Sequence, residues 1–378
     1  MSGPVTARVA GGVGAFGAEE WDACAGKDNP FVGHAFLSAL EDSGSATARA
    51  GWQPVPIAVD GADGRPAGIL PAYAKSHSQG EYVFDHAWAD AWERAGGRYY
   101  PKLQIAAPFT PVPGPRLLLR DETVAPALIA AAEAMVKEHD LSSAHATFVA
   151  PEQVALFEAA GWMIRVGSQF HWRNEGYRDF ADFLAALSSR KRKAIVKERA
   201  AAQAGLEIRV LTGDTIGEAE WDAFWRFYQD TGSRKWGRPY LTRRFFTLLG
   251  ERMGEKVLLI LACRQGRPIA GALNLIGADA LYGRYWGCTE EVPFLHFELC
   301  YYQAIEQAIA RGLARVEAGA QGEHKLARGY RPVPTWSAHF IPHTGFRAAV
   351  ADFLTRERAA MEQEIAMLDE MAPFRREG

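Results

Sequence analysis

Gly64-Arg-Pro-Ala-Gly-Ile-Leu-Pro-Ala-Tyr73 and Gly266-Arg-Pro-Ile-Ala-Gly-Ala-Leu-Asn-Leu275 carry one pattern at two places in the chain. Each follows an apolar run, 55–59 and 257–262, and each turns through a glycine into a second apolar run. Two short apolar runs about such a turn read as a β-hairpin. An aromatic stretch comes next in both places, YVFDHAW (82–88) and LYGRYWG (281–287), and reads as a further strand. A helix follows each. Residues 123–139 are alanine-rich, and Phe297, Cys300, Tyr301, Ala304, Ile305, Ala308 and Ile309 recur at i, i+3, i+4 spacing. Both helices lead to a short strand, 145–149 and 314–318. Both halves then close on a glycine-aromatic pair and a last strand: Gly161-Trp162 before 169–172, and Gly329-Tyr330 before 335–341.

Strand, turn, strand, strand, helix, strand, then strands is the element order of the acetyltransferase fold, and here it occurs twice. The expected architecture is therefore mixed α/β (α+β) with a mixed sheet, in two tandem acetyltransferase-like halves. The expected boundaries are 1–172 for the first half, 173–205 for a basic helical connection, and 206–378 for the second half with a C-terminal helix. In the connection, Ser188-Ser-Arg-Lys-Arg-Lys-Ala-Ile-Val-Lys-Glu-Arg199 is a strong helix former that Gly205 is placed to stop. Further helices are expected at 216–231 and 241–249.

Length and composition suit two packed domains: 378 residues, 48% hydrophobic and 11% aromatic. A net charge of −3 argues against a generally nucleic-acid-binding surface, so any basic function is local. Cys24, Cys263, Cys288 and Cys300 are scattered, which fits a reducing compartment and no zinc knuckle. With no secretory signal and no bilayer-length apolar run, the expectation is a soluble cytoplasmic protein, with peripheral contact to the inner membrane left open.

Six segments carry a specific resemblance: KSHSQGEYVFD (75–85), YYPKLQ (99–104), SSRKRK (188–193), LYGRYWG (281–287), LHFELCYYQAI (295–305) and EAGAQGEHKLARGY (317–330). The chain resembles the FemAB-like predicted N-acyltransferases, long labelled peptidoglycan biosynthesis or recognition proteins, from about Asn29 to Phe374. The resemblance implies a FemABX-like fold of two acetyltransferase (GNAT) halves and acyl transfer to an amine. Members of this family are also known as bacterial ceramide synthases. That implies a long-chain sphingoid base as acceptor and acyl-CoA or acyl carrier protein as donor. The kindred peptidoglycan aminoacyltransferases, which use aminoacyl-tRNA, carry a Phe-Lys-x-Gly-Phe segment. Here Leu326-Ala327 stands where its Phe-Lys would, and Lys325 comes two residues early. A non-catalytic module binding cell-wall fragments is a third reading.

Acyl transfer to an amine needs a base for the ammonium, donors for the carbonyl oxygen and both reactants held in register. In this fold the donor enters where two central strands splay apart, here 281–287 and 314–318. The usual glycine-rich phosphate turn is missing: the connection at 288–296 is CTEEVPFLH, and its counterpart at 108–116 is PFTPVPGPR. His296 and Glu298 flank the buried Phe297 and either face the strand opening or serve helix-start electrostatics. In 317–325, Glu323 or His324 is the candidate base, with Lys325 and Arg328 as phosphate or carboxylate holders. The alternative is an exposed polar loop. Period two puts Tyr282, Arg284 and Trp286 on one strand face, with Arg284 either paired to a buried carboxylate or reaching a ligand. Lys75, His77, Glu81 and Asp85 suggest a loop for the acceptor's polar head, with Lys102 in the same cleft, against a solvated hairpin end. The basic helix 190–199 reads as a solvated face, a phosphate or acyl-carrier dock, or a contact for anionic lipid. No full metal-ligand set is evident, so no metal is expected.

Overall fold

The computed structural model describes residues 6–235, 239–319 and 322–374, without the side chains of 232–235 and 323. It forms two compact units, Met1–Gly167 with Pro334–Gln363, and Ser168–Val333 with Glu364–Gly378. These differ from the expected boundaries. The last strand of each repeat, Met163–Arg173 or Arg331–Phe340, crosses from one unit to the other.

In the N-terminal unit, Trp52–Pro54, Ala72–Lys75 and Lys102–Ile105 pair antiparallel, and Lys102–Ile105 then pairs parallel with Ala144–Val149. A parallel pair needs a crossover, which helix Ala125–Glu138 supplies with Pro126 in its first turn. The far edge of Ala144–Val149 is covered by Trp336–Phe340, so the strand closing the second repeat completes this sheet. A smaller sheet joins Ala7–Val9, Ile57–Asp60, Pro66–Leu70 and Leu118–Leu119. Strand alternation gives the larger sheet two unlike buried faces. Ala72, Leu103, Ile105, Ala144, Ala338 and Phe340 meet Leu128, Ile129 and Val136 of the helix. The opposite face carries Tyr73, Lys75, Lys102, Gln104, His145 and His339, all buried. One expectation fails here. Residues 82–88 are not a strand: Gly80 and Tyr82 take positive φ, and helix His86–Arg94 begins where the aromatic strand was expected. The third strand is instead Lys102–Ile105, whose buried lysine hides it from an apolar-run reading.

The C-terminal unit is a meander of Glu207–Leu211, Val257–Arg264, Arg267–Ile276 and Ala280–Cys288, with Arg315–Glu317 added parallel to the last. Its edge is covered by His171, Trp172 and Arg173 from the strand that closes the first repeat. The amphipathic helix spans Leu295–Phe297, a π-turn at Glu298–Tyr302, and Gln303–Ala310. Its stripe, with Leu299, Tyr302, Ile305 and Ala308, packs on Leu258, Ile260, Ala272 and Leu281. Single π-turns inside α-helices gather at functional sites. The basic helix Ser189–Gln203 is not a connection. It belongs to this unit, with Ile195 in the same core and Gly205 ending it at φ 70°.

On the sheet's other face, helix Glu218–Lys235 lies so close that a Cβ on Gly287 would sit 2.1 Å from the Phe227 carbonyl oxygen. Backbone cannot yield there. Gly287→Ala is expected to destabilise the chain by about 3 kcal/mol through overpacking. Gly312→Ala, with open space but φ 67°, should cost about 1 kcal/mol. Urea midpoints of the two variants test the ranking.

Candidate active site

Strand Arg315–Glu317 is three residues long and touches Ala280–Cys288 only at Ala280/Arg315, Leu281/Val316 and Tyr282/Glu317 among the described residues. Beyond Tyr282 the two strands part. Ala280–Cys288 stays paired on its other side with Arg267–Ile276 as far as Cys288. The register there slips: Asn274 faces Gly283 and Leu273 faces Tyr285, leaving Arg284 as the extra residue of a β-bulge. The bulge corrects the period-two reading. Leu281 and Trp286 now share the helix-facing core, while Tyr285 packs against Tyr228 with ring centroids 5.3 Å apart. Tyr282, Arg284 and Trp286 therefore do not line one face. The Arg284 guanidinium lies 5.2 Å from the Tyr285 ring, and Trp286 meets His296 edge-on at 5.3 Å.

Glu317 stands at the point of parting. Its side chain is 4% exposed, and Arg315 Nε donates to Oε1 at 2.8 Å. His171 Nε2, from the exchanged strand, lies 3.7 Å from Oε2, and Oε2 accepts no hydrogen bond. Burial pushes the Glu317 carboxyl up to about 7, against the pull of Arg315. Burial pushes His171 down to about 3, so the imidazole beside it is uncharged at neutral pH. Arg315 is itself held by Asp279 and by the Tyr282 hydroxyl. Asn274 donates to Leu258 and Ala272 carbonyls while its Oδ1 stays unpartnered. A Cβ on Gly283 would lie 3.5 Å from both Asn274 Oδ1 and the Glu317 carbonyl, so glycine keeps this ground uncovered. The arrangement is a buried carboxyl with one oxygen uncommitted and a proton affinity near neutrality. That suits a general base.

The other second-half candidates divide. Glu298 does not face the opening: it is fully buried and accepts from Arg199 Nη2 at 3.0 Å and from Gln203 and Gln303 at 2.8 Å. The π-turn directs it to the basic helix. His296 lies in an aromatic group with Trp286, Phe297 and Tyr301. The polar run 323–328 is a 3-10 helix in place of an open loop. The Glu323 side chain lies outside the described residues. His324 is exposed, with Nε2 2.9 Å from the Tyr301 hydroxyl. Lys325 is buried, donates to the Gly319 carbonyl at 2.9 Å, and is lowered by burial to about 8. Arg328 donates to the His324 carbonyl and Glu198 and lies 3.4 Å over Phe297. Lys325 and Arg328 thus fasten the segment to its own unit.

In the N-terminal unit the structure brings together four of the five predicted residues, Lys75, Glu81, Asp85 and Lys102. Lys102 Nζ donates to Glu81 at 2.7 Å, Ser78 at 2.8 Å, and Asp85. Tyr99 adds a 2.7 Å hydrogen bond to Asp85. His145 and His339 face each other through Nδ1 atoms 2.7 Å apart. Burial would lift Asp85, but Lys102 overrides it and holds that carboxyl below the usual range. Lys75, over the Trp52 ring at 3.7 Å, is lowered by burial to about 7. Glu81, 3.8 Å from Lys75, is raised by burial to about 7. His77 stands apart, accepting from the Gln79 amide and crowding Gly51. This is an internal ion cluster that pins segment 76–100 to the sheet, and the solvated-hairpin alternative does not describe it.

A family model described as FemAB-like, peptidoglycan biosynthesis/recognition, matches residues 12–376. The chain belongs to the FemAB-like family. No protein of curated function matches it. Among solved structures it is similar to FemX, at 12% identity and TM-score 0.56 over 89% of this chain and 98% of that one. It is also similar to the C-terminal domain of an Agrobacterium fabrum protein named for lysylphosphatidylglycerol synthesis. That match has 10% identity and TM-score 0.53 over 91% and 96% of the two chains. L-PGS from Bacillus licheniformis follows at 11% identity and TM-score 0.50, over 88% and 97%. At these identities the likeness is one of fold: two acetyltransferase-like halves. Among the described residues of this FemAB-like chain, no His, Cys, Asp and Glu group is placed to hold a metal ion, and no helix is long and apolar enough to cross a membrane.

Sequence reasoning passed over Glu317, His171 and Asn274. The available signal was position: Glu317 ends a predicted strand beside two glycines, and His171 sits in the strand after Gly161-Trp162. For the FemAB-like N-terminal cluster, Lys102→Met leaves Glu81 and Asp85 buried without their cation. It should cost about 3–5 kcal/mol in urea unfolding. Adding Glu81→Gln and Asp85→Asn should restore most of that loss, because the uncompensated charges go with it.

Proposed function

We propose that this FemAB-like chain transfers an activated acyl group to an amine, with an aminoacyl group as the favoured cargo and the C-terminal unit as the catalytic one. The observation that carries the reading is Glu317: a buried carboxyl with a free oxygen where two parallel strands separate. The family's description and the neighbours FemX and the A. fabrum protein, named for a lysyl-bearing lipid, support the choice of an aminoacyl group.

The chemistry follows from the site. Glu317 takes a proton from the acceptor's ammonium, and the freed amine forms a C–N bond at the donor carbonyl carbon. Backbone N–H groups of 283–288, past the last residue paired with Arg315–Glu317, are proposed as the donors for the developing oxyanion. The bond from the acyl carbon to the carrier then breaks, the departing oxygen or sulfur takes the proton back from Glu317, and the again ionised Glu317 accepts the surplus proton of the new amide nitrogen and passes it to solvent. His171, kept neutral by burial, adds no charge to oppose the ionised carboxylate. Trp286, His296, Tyr301 and His324 form one aromatic group and are proposed to shape the acyl pocket, while Arg284 at the bulge is proposed to position the donor.

Because the Glu317 carboxyl is raised to about 7, it is the base only above that pH. Activity as kcat/KM should therefore rise through about pH 7. Glu317→Gln should lower it about 100-fold or more and remove that limb, with far-UV circular dichroism unchanged. A Gln variant that keeps both rate and limb would falsify the assignment. Mass spectrometry of the amide product, with aminoacyl-tRNA in one arm and long-chain acyl-CoA plus a sphingoid base in the other, decides the cargo. Product only in the second arm transfers the reading to the fatty acyl pair implied by the sequence resemblance.

A further inference from the structure

Among the described residues of the C-terminal unit, two side-chain carbonyl or carboxyl oxygens are buried without a hydrogen bond, Glu317 Oε2 and Asn274 Oδ1. The transfer reaction uses the first and leaves the second idle. Asn274 is 1% exposed, and its surroundings fix which way the amide points. Nδ2 donates to the Leu258 carbonyl at 3.3 Å and to the Ala272 carbonyl at 3.4 Å. Turning the amide over would set Oδ1 against those two carbonyl oxygens, so the oxygen is the atom left bare. A buried acceptor without a partner costs more than an ordinary hydrogen bond returns, and in a native chain it calls for a partner.

That oxygen looks onto Gly283. A Cβ there would lie 3.5 Å from Asn274 Oδ1, 3.5 Å from the Glu317 carbonyl oxygen and 3.6 Å from Ala318 Cα. These are ordinary contact distances, so a methyl group would fit, and glycine keeps its space open. Gly283 is also the first residue past Tyr282/Glu317, the last pair between the parting strands. Strand alternation settles the face. Leu281 and Ala272 belong to the core packed on helix 295–310, and Gly283 and Asn274 stand two residues further along the same strands, so both face that helix. Val316 lies in the same core, which turns Glu317 to the opposite face, where Tyr282 meets Arg315. The two bare oxygens therefore stand on opposite faces of the sheet, at the position where the strands part.

We propose that Asn274 Oδ1, over the space kept by Gly283, accepts a hydrogen bond from an amino or hydroxyl group on the carbon next to the transferred carbonyl, so that the chain selects 2-amino or 2-hydroxy acyl groups over unsubstituted ones. The inference rests on the transferase reading above and names the feature of the cargo that its site recognises. An amine attacks a carbonyl carbon from one face of its plane, so a contact made on the other side fixes the cargo without blocking the approach. Asn274 holds the cargo from the helix-facing side, and Glu317 meets the acceptor amine on the other. Discrimination follows because an acyl group lacking the N–H or O–H leaves the buried oxygen bare.

The test uses the full chain and three acids of one carbon skeleton: alanine, lactic acid and propionic acid. Each is linked as an amide to 3′-amino-3′-deoxyadenosine, which binds without transferring, and affinity is read by isothermal titration calorimetry. The alanyl and lactyl amides should bind at least about tenfold more tightly than the propionyl amide. Asn274→Leu removes the oxygen and Gly283→Ala covers it, and each should bring that ratio close to unity. Because the added methyl meets only ordinary contacts, Gly283→Ala should keep the parent's urea midpoint. The adenosine esters of the same acids, read as kcat/KM, should show the same preference in the parent and its loss in both variants. Equal binding of the three amides by the parent, no binding of any, or a preference that survives both substitutions overturns the proposal, and the space over Gly283 then holds a water only. A preference in binding with transfer from no ester sinks the transferase reading and leaves the subsite. Transfer from all three esters at equal kcat/KM leaves the transferase and sinks the subsite.

Discussion

The parallel pairing of Arg315–Glu317 with Ala280–Cys288 is the constraint on which the C-terminal unit turns. Parallel strands cannot be joined by a tight turn, so helix 295–310 must cross over between them. The new strand is only three residues long and is closed on its other edge by His171–Arg173. A strand held on both sides for three residues and then released puts its last side chain at the mouth of the gap it opens. That side chain is Glu317. The same geometry ends the pairing of the two strands at Tyr282, so the proposed base and the proposed oxyanion donors trace to one event in the fold.

Buried charge is handled in opposite ways by the two units. In the N-terminal one, Lys102 is surrounded by Glu81, Asp85 and Ser78, so each charge has its complement nearby. Such a cluster adds little net stability over an apolar core but makes loss of one member expensive. In the C-terminal one, Glu317 has one oxygen on Arg315 and the other left bare. An unsatisfied buried acceptor costs about 1–3 kcal/mol, a penalty the fold retains at one point. The same burial raises the proton affinity of Glu317.

The π-turn links this site to the surface. By adding a residue to the helical turn at Glu298–Tyr302, it rotates Glu298 onto Arg199 and Gln203 while leaving Tyr301 beside His324. Helix Ser189–Gln203 is thereby joined to the π-turn through its inner face, while Arg190, Lys193 and Lys197 are exposed on its outer face. A charged segment that looks like a linker in one dimension is part of the C-terminal unit in three.

The element order was legible in the residues alone. Helix 125–138 follows from its alanine-rich run and helix 303–310 from the 3.6-residue stripe, the hairpins from glycine turns between apolar runs, and the twofold repeat from their succession. All of these depend on neighbours a few positions away, where backbone geometry dictates the period. Several of the chemical residues were also marked by their clustering in polar runs: Lys75, Asp85 and Lys102 do meet, and His296 and His324 do approach one another. What only the tertiary structure decided was partnership. Which edge Met163–Arg173 and Arg331–Phe340 would cover depends on strands more than a hundred residues away, so the unit boundaries shifted. One bulge at Arg284 inverted the face that alternation assigned to Trp286. Glu298 and Arg328 were bound by groups distant in the chain and Lys325 by the nearby Gly319 carbonyl, while Glu317 kept one oxygen without a hydrogen bond. Whether a carboxylate is spent or available is a property of its surroundings, and the dielectric around it is built by residues that the local sequence does not contain.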